Sequence, residues 1–382
     1  MIYLDHAATT GLRKEALSEM LSVLRETSGN PSSLHAEGFT AKKLLTQYRR
    51  EIAETLSVRP TEIFFTSGGT EGDNWAIKGY LEANPQKGGH IITSAVEHHA
   101  VLETVRYMKS RGFRVTVLPV DDCGRVSPEE LRNAISEDTA LISIMAVNNE
   151  TGVKENINGL SEVAGTYGIA FHSDCVQAPG HISLDFLPEI TMASFSAHKF
   201  GGPRGVGFLY VKEGTEMTPL LHGGGQEQRL RSGTENVPGI AGMARALSLA
   251  ETERPETEEH CRRLGEILLG RLRSVCPDFR INGGKEKISS TISLSFRGVE
   301  AASLLVMLDL AGICCSGGSA CTSVRLEPSH VLTAMGLGPD ESRGTIRISL
   351  SGSNTEEEME AAAEEIGRTV NRLRENTKEN RE

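Results

Sequence analysis

Short apolar runs alternate with helical apolar periodicity through the first two-thirds of the chain. Buried-strand patterns occupy Ile63–Thr66 and residues 90–93, 141–147, 169–171 and 192–195. The run 141–147 has no polar alternation beyond Ser143, which is typical of a parallel strand covered on both faces. Helical spacing of apolar residues follows two of these strands, at Trp75 and Ile77 and at 101, 102, 105 and 108. The pattern predicts an α/β fold with a mostly parallel sheet and right-handed crossovers.

Polar residues follow these strands at the point where each strand ends. They are residues 67–70, His98, 148–150, Asp174 with Gln177, and Ser196-Ala197-His198-Lys199. Successive strands of such a sheet point the same way, so these groups are expected to share one edge. Ligands of open α/β sheets bind in the crevice outside that edge. The sequence therefore predicts a ligand site built from these residues.

The segment Ser67-Gly68-Gly69-Thr70 joins a predicted strand to a predicted helix. Glycines at this position leave the first N–H groups of the helix open to an anion, and the helix dipole adds to the attraction. We interpret the segment as a phosphate cradle. The alternative is a turn with an N-cap and no ligand.

Lys199 stands at the end of an apolar strand, followed by a glycine-rich run. Desolvation lowers the pKa of a lysine amine and makes it nucleophilic, so Lys199 can form a Schiff base. Pyridoxal 5′-phosphate needs this combination: a lysine for its aldehyde, a carboxylate such as Asp174 for its ring nitrogen, and a phosphate cradle. Taken singly, Lys199 could be a solvated lysine, Asp174 a turn residue and His98 a helix-terminal residue. It is improbable that all of these local alternatives hold at once for residues that share one edge of the sheet.

A second constellation is the Gly- and Ser-rich segment 315–323, which contains Cys315 and Cys321. The segment lacks periodicity, so we expect a mobile surface loop with an accessible thiol. The alternative is an ordinary loop cysteine without a catalytic role.

Seven motifs in order resemble the NifS/IscS group of cysteine desulfurases, and the resemblance runs to about Glu358. They are residues 2–10 (IYLDHAATT), 29–35 (GNPSSLH), 66–71 (TSGGTE), 147–150 (VNNE), 196–199 (SAHK), 231–234 (RSGT) and 318–323 (GSACTS). The Arg-x-Gly-His-His-Cys segment of the SufS-like group is absent. The resemblance implies pyridoxal-phosphate fold type I, with a seven-stranded-type sheet in the large domain and a smaller α+β C-terminal domain.

The resemblance also implies a role for each site residue. Lys199 would bind the cofactor aldehyde, His98 would stack on the ring and move protons, and Asp174 would pair with the ring nitrogen. The cofactor phosphate would be surrounded by Gly69, Thr70, Ser196, Ala197 and His198, and reached by Thr234 of the neighbouring subunit of a homodimer. Gln177 and Asn149 would lie near the ring hydroxyl.

The implied reaction converts L-cysteine to alanine and leaves the sulfur as a persulfide on Cys321 for an acceptor or scaffold protein. Asn149 and Arg347 would bind the substrate. In residues 345–350 the isoleucines and Leu350 share one strand face and Arg347 projects from the other. Iron-sulfur cluster assembly, tRNA thiolation and cofactor biosynthesis all remain open as the destination of the sulfur.

Departures from the family pattern are Gly317 in place of serine, the additional thiols Cys314 and Cys315, and Cys175 after Asp174. They leave open a second sulfur acceptor near Cys321. Two other functions also remain open: a selenocysteine lyase or aminotransferase of the same fold, and a sulfur-carrier scaffold without turnover.

Composition limits the partners. The 51 acidic and 40 basic residues give a net charge of −11, which argues against nucleic acid as a direct partner. No apolar run is long enough to span a bilayer and the N-terminal residues lack a signal-peptide pattern, so we expect a cytoplasmic protein. Seven cysteines at irregular spacing suit reduced thiols, and none has zinc-site spacing, so no metal is expected.

At 382 residues the chain is expected to form two domains. The large cofactor domain would span 13–250, and the small domain would take 1–12 and 251–382. In the small domain the pattern predicts a strand over 290–296, helices over 299–310 and 328–335, the Arg347 strand, and a last helix that opens with a capping box from Thr355 to Glu358.

Overall fold

The structure is a computed structural model that describes residues 1–318 and 328–379. Its strands are β1 (Ile2–Tyr3), β2 (Ile63–Thr66), β3 (His90–Ser94), β4 (Arg114–Leu118), β5 (Thr139–Ser143), β6 (Ala170–Asp174), β7 (Met192–Ser196), β8 (Gly207–Val211), β9 (Arg280–Asn282), β10 (Thr291–Ser295), β11 (Ile313–Cys314), β12 (Ser316–Gly317) and β13 (Thr345–Ser349). Its α-helices are α1 (Lys14–Glu26), α2 (Ala36–Thr55), α3 (Gly69–Ala83), α4 (His99–Ser110), α5 (Pro128–Ala134), α6 (Ile157–Thr166), α7 (Val237–Val275), α8 (Ala301–Leu310), α9 (His330–Ala334), α10 (Pro339–Arg343) and α11 (Glu356–Glu379). None of these helices is long and apolar enough to cross a membrane.

The large sheet has seven strands in the order β2-β8-β7-β6-β5-β3-β4. The pairs of β3, β4, β5, β6 and β7 are parallel, whereas β8 runs antiparallel to both β7 and β2. The predicted mostly parallel sheet is confirmed. β4 and β8 belong to this sheet but were not predicted as strands.

The predicted strands of the large sheet end within one residue of the observed strands at β2, β3 and β7, but not at β6 and β5. β6 ends at Asp174, three residues beyond the predicted end. β5 ends at Ser143, four residues before the end of the apolar run. The chain nevertheless stays paired with β6, because the N–H groups of Ile144 and Ala146 donate to the carbonyls of His172 and Asp174 at 3.1 and 2.9 Å. The apolar run therefore marks the length of buried extended chain rather than the regular strand.

Two apolar clusters lie on either side of the middle of α7. The first cluster packs against the large sheet and consists of buried apolar residues between Ala16 and Ala250, together with Ile288. The second consists of Leu4 and buried apolar residues between Cys261 and Val370. Helix α7 is 39 residues long, contains Pro255, and contributes Ala250 to the first cluster and Cys261 to the second. The change from one cluster to the other thus falls inside a helix.

The second cluster packs on an antiparallel sheet in the order β12-β13-β10-β9, and β1 pairs with β11 in a two-stranded parallel sheet. The elements predicted here are found as β10, α8, α9, β13 and α11. The capping box of α11 is confirmed, since the Thr355 N–H donates to Glu358 at 3.2 Å and the Glu358 N–H donates to the Thr355 hydroxyl at 3.3 Å. Strand pairing through β1 attaches the N-terminal residues to this part of the chain.

Candidate active site

The phosphate cradle forms where β2 meets α3. Helix α3 begins at Gly69, and its N-cap residue Gly68 has φ +152° and no side chain to satisfy the first N–H groups. A Cβ at Gly69 would lie 2.4 Å from Val176 Cγ2, and one at Gly68 would lie 3.3 Å from Ser196 Oγ. Glycine at position 69 therefore allows Val176, in the turn after β6, to approach the helix start closely, and the positive φ of residue 68 favours glycine there. Open N–H groups at the start of a 15-residue helix, with a serine hydroxyl beside them, form an anion site.

Lys199 lies at the end of the short turn that follows β7. Its Nζ donates to the carbonyls of Ala7 and Ala8 at 2.6 and 3.0 Å. Gln177 Nε2 donates to the same Ala7 carbonyl at 2.9 Å. The N-terminal segment 5–10 therefore lies against the lysine, although the sequence motif in that segment suggested no role for it.

Asp174, at the end of β6, is buried and close to His98. The nearest ligand atoms of Asp174, His98 and Asp73 all lie within 4.8 Å of one another. Burial raises the pKa of the Asp174 carboxyl, and its neighbours His98 and Lys199 and the hydrogen bond from the Val176 N–H oppose that shift. A cationic ring nitrogen placed here would favour the ionised carboxylate further.

His98 is the N-cap of α4, and its Nδ1 accepts a hydrogen bond from the Ala100 N–H at 3.1 Å. The local role considered from the sequence is thus real, and it fixes the ring tautomer with the proton on Nε2. Burial lowers the pKa of His98, with the Asp174 charge opposing the shift. The imidazole is neutral near pH 7 and can exchange a proton. Asp174 likewise makes a local hydrogen bond, because its Oδ1 accepts from the Val176 N–H at 2.9 Å.

His198 contacts the N-terminal segment rather than the α3 cradle. Its Nδ1 lies 3.2 Å from Thr9 Oγ1, and its carbonyl accepts from the Thr10 hydroxyl at 2.9 Å. Burial is the main cause that lowers the pKa of His198 to about 4, so the ring is neutral. It therefore helps to hold the segment that contacts Lys199.

Arg347 is 1% exposed, which excludes a solvated arginine on an amphipathic strand. Its Nη2 donates to the Asp5 carboxylate at 2.8 Å and its Nη1 to the Asn149 carbonyl at 2.7 Å. Its Nε is buried without a hydrogen-bond partner among the described residues. The strand alternation correctly predicted the side on which Arg347 lies, but not its pairing with Asp5.

Asn149 is presented by a turn that Asn148 organises. Asn148 Oδ1 accepts hydrogen bonds from the N–H groups of Glu150 and Thr151 at 2.9 and 3.0 Å, and from the Thr151 hydroxyl at 3.1 Å. This local side-chain to backbone bonding turns the chain at the sheet edge. It carries the Asn149 carbonyl to Arg347.

The cysteine segment is only partly as expected. Cys321 lies outside the described residues. The expectation of a loop from residue 315 is wrong at its start, because β12 pairs with β13 opposite Arg347 and Ile346. Burial raises the pKa of the Cys315 thiol to about 12, which makes Cys315 a poor nucleophile.

The remaining predicted residues differ in exposure. Ala197 is fully buried, and Thr70 is exposed in the first turn of α3. Thr234 is also exposed. A cavity of about 850 Å³ reaches Lys199 and Gln177 along the N-terminal segment, a volume within the range of small-molecule sites.

Asp73 and Asp5 lie at the site but were given no role in the sequence predictions. Asp73 follows the cradle motif by three residues, and its helical spacing from Gly69 could have placed it on the sheet-facing side. Asp5 lies in the N-terminal motif, but only the fold brings it to Arg347.

Comparison with known proteins places the chain in a family. Residues 2–362 match the family model "Aminotransferase class-V", and the chain belongs to that family. Its similar relatives include "Cysteine desulfurase IscS" of Methanosarcina thermophila, 46% identical over 98% of this chain and 93% of that protein. Another is "Cysteine desulfurase IscS" of Clostridium botulinum, 43% identical over 98% of this chain and 95% of that protein.

Solved structures agree with this placement. A "NIFS-LIKE PROTEIN" superposes with a TM-score of 0.91 at 40% identity, covering 97% of this chain and 99% of that chain. A structure described as "SspA in complex with cysteine" superposes with a TM-score of 0.82 at 36% identity, covering 93% and 100%. The predicted fold and the resemblance to the NifS/IscS group are confirmed.

The residues of the site fit pyridoxal 5′-phosphate. The glycine cradle would hold the phosphate, the buried Asp174 carboxylate would face the ring nitrogen, and the Lys199 amine lies on the same sheet edge. The predicted cofactor is confirmed by the family.

Proposed function

We infer that the protein is a pyridoxal-phosphate-dependent cysteine desulfurase, which converts L-cysteine to L-alanine and transfers the sulfur. The observation that carries this conclusion is the meeting of a lysine amine, a buried carboxylate and a neutral histidine beside an open helix N-terminus, in a chain with cysteine desulfurases among its relatives. When bound, the cofactor supplies an electron sink for the substrate carbon.

Each residue of the site has a separate role in the reaction. The Lys199 amine binds the cofactor and exchanges the proton at the substrate Cα. Asp174 holds a negative charge at the base of the site, and His98 moves protons in its neutral form. Arg347 binds the substrate carboxylate, for which its unsatisfied Nε and its buried position suit it.

We assign the sulfur-accepting thiol to Cys321 on the strength of the 318–323 motif. Its thiolate would take the sulfur of cysteine as a persulfide, and the carbon skeleton would leave as alanine. The raised pKa of Cys315 supports this choice, because a thiol that stays protonated is a weak nucleophile. The persulfide would then pass to an acceptor protein by thiol exchange.

The active unit is proposed to be a homodimer in which Thr234 reaches the phosphate of the partner. Three exposed apolar side chains within residues 24–39 support an interface between subunits: Leu34 is 89% exposed, Leu24 59% and Phe39 58%. Thr234 is exposed as well, as a residue that acts on another subunit must be.

A cytoplasmic location and a role in iron-sulfur cluster assembly complete the proposal. Free thiols support the location, since each of the six described cysteines is unpaired. The name shared by the Methanosarcina and Clostridium relatives supports the pathway.

The test is the release of sulfide and alanine from L-cysteine by the purified protein with dithiothreitol present, which reduces the persulfide to thiol and sulfide. Equimolar products, together with visible cofactor absorbance that Lys199→Ala abolishes, would support the proposal. Pyruvate or a transaminated product would indicate an aminotransferase, and preference for selenocysteine with no cysteine turnover would indicate a lyase. Cofactor binding without any product would indicate a sulfur-carrier scaffold.

A further inference from the structure

Three consecutive residues with side chains adopt left-handed backbone conformations just before the 231–234 motif. Glu227, Gln228 and Arg229 have φ values of +46°, +58° and +70°. Residues with a Cβ rarely adopt this conformation even singly. A run of three persists only where surrounding contacts hold it, and such runs cluster at functional sites.

An ion pair holds the start of this turn. The Glu227 carboxylate accepts from Arg49 at both oxygens, with Nη1 at 2.9 Å and Nη2 at 2.5 Å. It also accepts from the Phe65 N–H in β2 at 2.8 Å. The Glu227 side chain is 2% exposed, and the Arg49 guanidinium stacks on the Phe65 ring at 4.3 Å. The turn is thereby fixed to the strand that leads into the phosphate cradle.

A second ion pair holds the end of the turn. Arg231 Nε donates to Glu71 Oε1 at 2.8 Å and its Nη2 donates to Oε2 at 3.1 Å. Glu71 lies in the first turn of α3, next to Thr70, and its Oε2 also accepts from the Ser67 N–H at 2.8 Å. The two side chains are 19% and 11% exposed. A bidentate contact of this kind fixes orientation as well as distance.

The two ion pairs join the 227–234 segment to the β2–α3 cradle of the same subunit. Thr234 follows Arg231 by three residues and is exposed. We propose that Arg231 and Glu227 are positioning residues that hold Thr234 for the cofactor phosphate of the partner subunit. This inference rests on the homodimer of the proposed function. One rigid unit would then carry the cradle for its own site and the threonine for the other.

Mixed dimers with one functional lysine separate this role from a general structural one. Two subunits with different affinity tags are co-expressed and the heterodimer is purified. In the first arm, one subunit carries Lys199→Ala and the other Arg231→Gln, so the remaining Lys199 site receives Thr234 from a subunit with Arg231. In the second arm, both changes are in one subunit, so the remaining site receives Thr234 from the subunit without Arg231.

Both heterodimers contain the same substitutions, so a loss of folding would affect them alike. We measure pyridoxal 5′-phosphate dissociation by equilibrium dialysis, per Lys199 site, and kcat/KM for cysteine. The first arm should match a heterodimer of Lys199→Ala with wild type. The second arm should bind the cofactor about tenfold more weakly, as expected when a hydrogen bond to a charged group is lost. Glu227→Gln in place of Arg231→Gln should likewise weaken cofactor binding in the second arm and not in the first.

Equal affinities in the two arms would overturn the inference, and so would a loss confined to the first arm, which would mean that Arg231 serves its own cradle. Thr234→Ala in the same two arms distinguishes the causes. If Thr234→Ala weakens the second arm alone and Arg231→Gln does not, only the positioning role is wrong. If Thr234→Ala also gives equal cofactor affinities in the two arms, the proposal that Thr234 completes the site of the partner subunit is wrong.

Discussion

Replacing Arg347 with lysine tests whether the buried guanidinium binds the substrate carboxylate through a fork of two N–H groups. Lysine keeps the positive charge, so Asp5 retains a cation beside its carboxylate. The substitution removes the planar arrangement that contacts Asp5 and the Asn149 carbonyl at 2.8 and 2.7 Å. An ammonium group is a point charge and cannot reproduce that geometry.

The expected loss of L-cysteine affinity follows from the hydrogen bonds that the substitution removes. A hydrogen bond to a charged group contributes about 1.5 to 3 kcal/mol. The Asp5 side chain is 18% exposed, so its pair with Arg347 is not fully desolvated, and the larger penalty for breaking a wholly buried pair does not apply. We expect L-cysteine to bind about 10- to 150-fold more weakly to Arg347→Lys, which is the same energy expressed as affinity.

The assay is a titration of the cofactor absorbance with L-cysteine, repeated with L-alanine, which shares the carboxylate. Both amino acids should lose affinity by a similar factor. Arg343→Lys is the matched control, since Arg343 is 52% exposed and lies four residues away, and it should bind both amino acids like wild type. Unchanged cysteine affinity in Arg347→Lys, with the fold intact by circular dichroism, would refute the bidentate role.

Asp174→Asn should weaken cofactor binding by about 3 kcal/mol, as expected for loss of one partner of a buried charge pair. Asp73→Asn should change cofactor binding little, because burial raises the pKa of Asp73 well above its usual range and keeps it protonated. Equilibrium dialysis of both variants checks this, and similar losses in the two would count against it. Cys321→Ala should bind cysteine but release no alanine, and Cys315→Ala should keep turnover; mass spectrometry that finds the persulfide on Cys315 would reverse the assignment. Burial raises the pKa of Glu155 to about 8, so its protonated form is favoured in the folded state, and stability should fall as pH rises from about 4.5 to 8 and then level off. Thermal melts of Glu155→Gln should show a smaller fall over that range, and an equal fall would contradict the reasoning.

The sequence by itself determined five of the seven strands of the large sheet and the edge on which the site residues lie. Buried-strand runs that end in polar residues are a local signal, because the alternation of side chains and the end of each strand depend only on residues adjacent in sequence. Parallel pairing then brings those ends together without further information. Lys199, Asp174, His98 and the glycines of the cradle were found in this way, and their local alternatives proved compatible with the site: His98 is both an N-cap and a neighbour of Asp174.

Only the tertiary structure decided the contacts between distant segments. Arg347 and Asp5 are 342 residues apart, and Glu227 and Arg49 are 178 apart, so no periodicity relates them. The same holds for the Ala7 carbonyl at Lys199 and for the pairing of β12 with β13, which turned the start of an expected loop into strand. Such pairs depend on where the chain returns in space, and burial then gives them their effect, because charges and polar groups removed from water require specific partners.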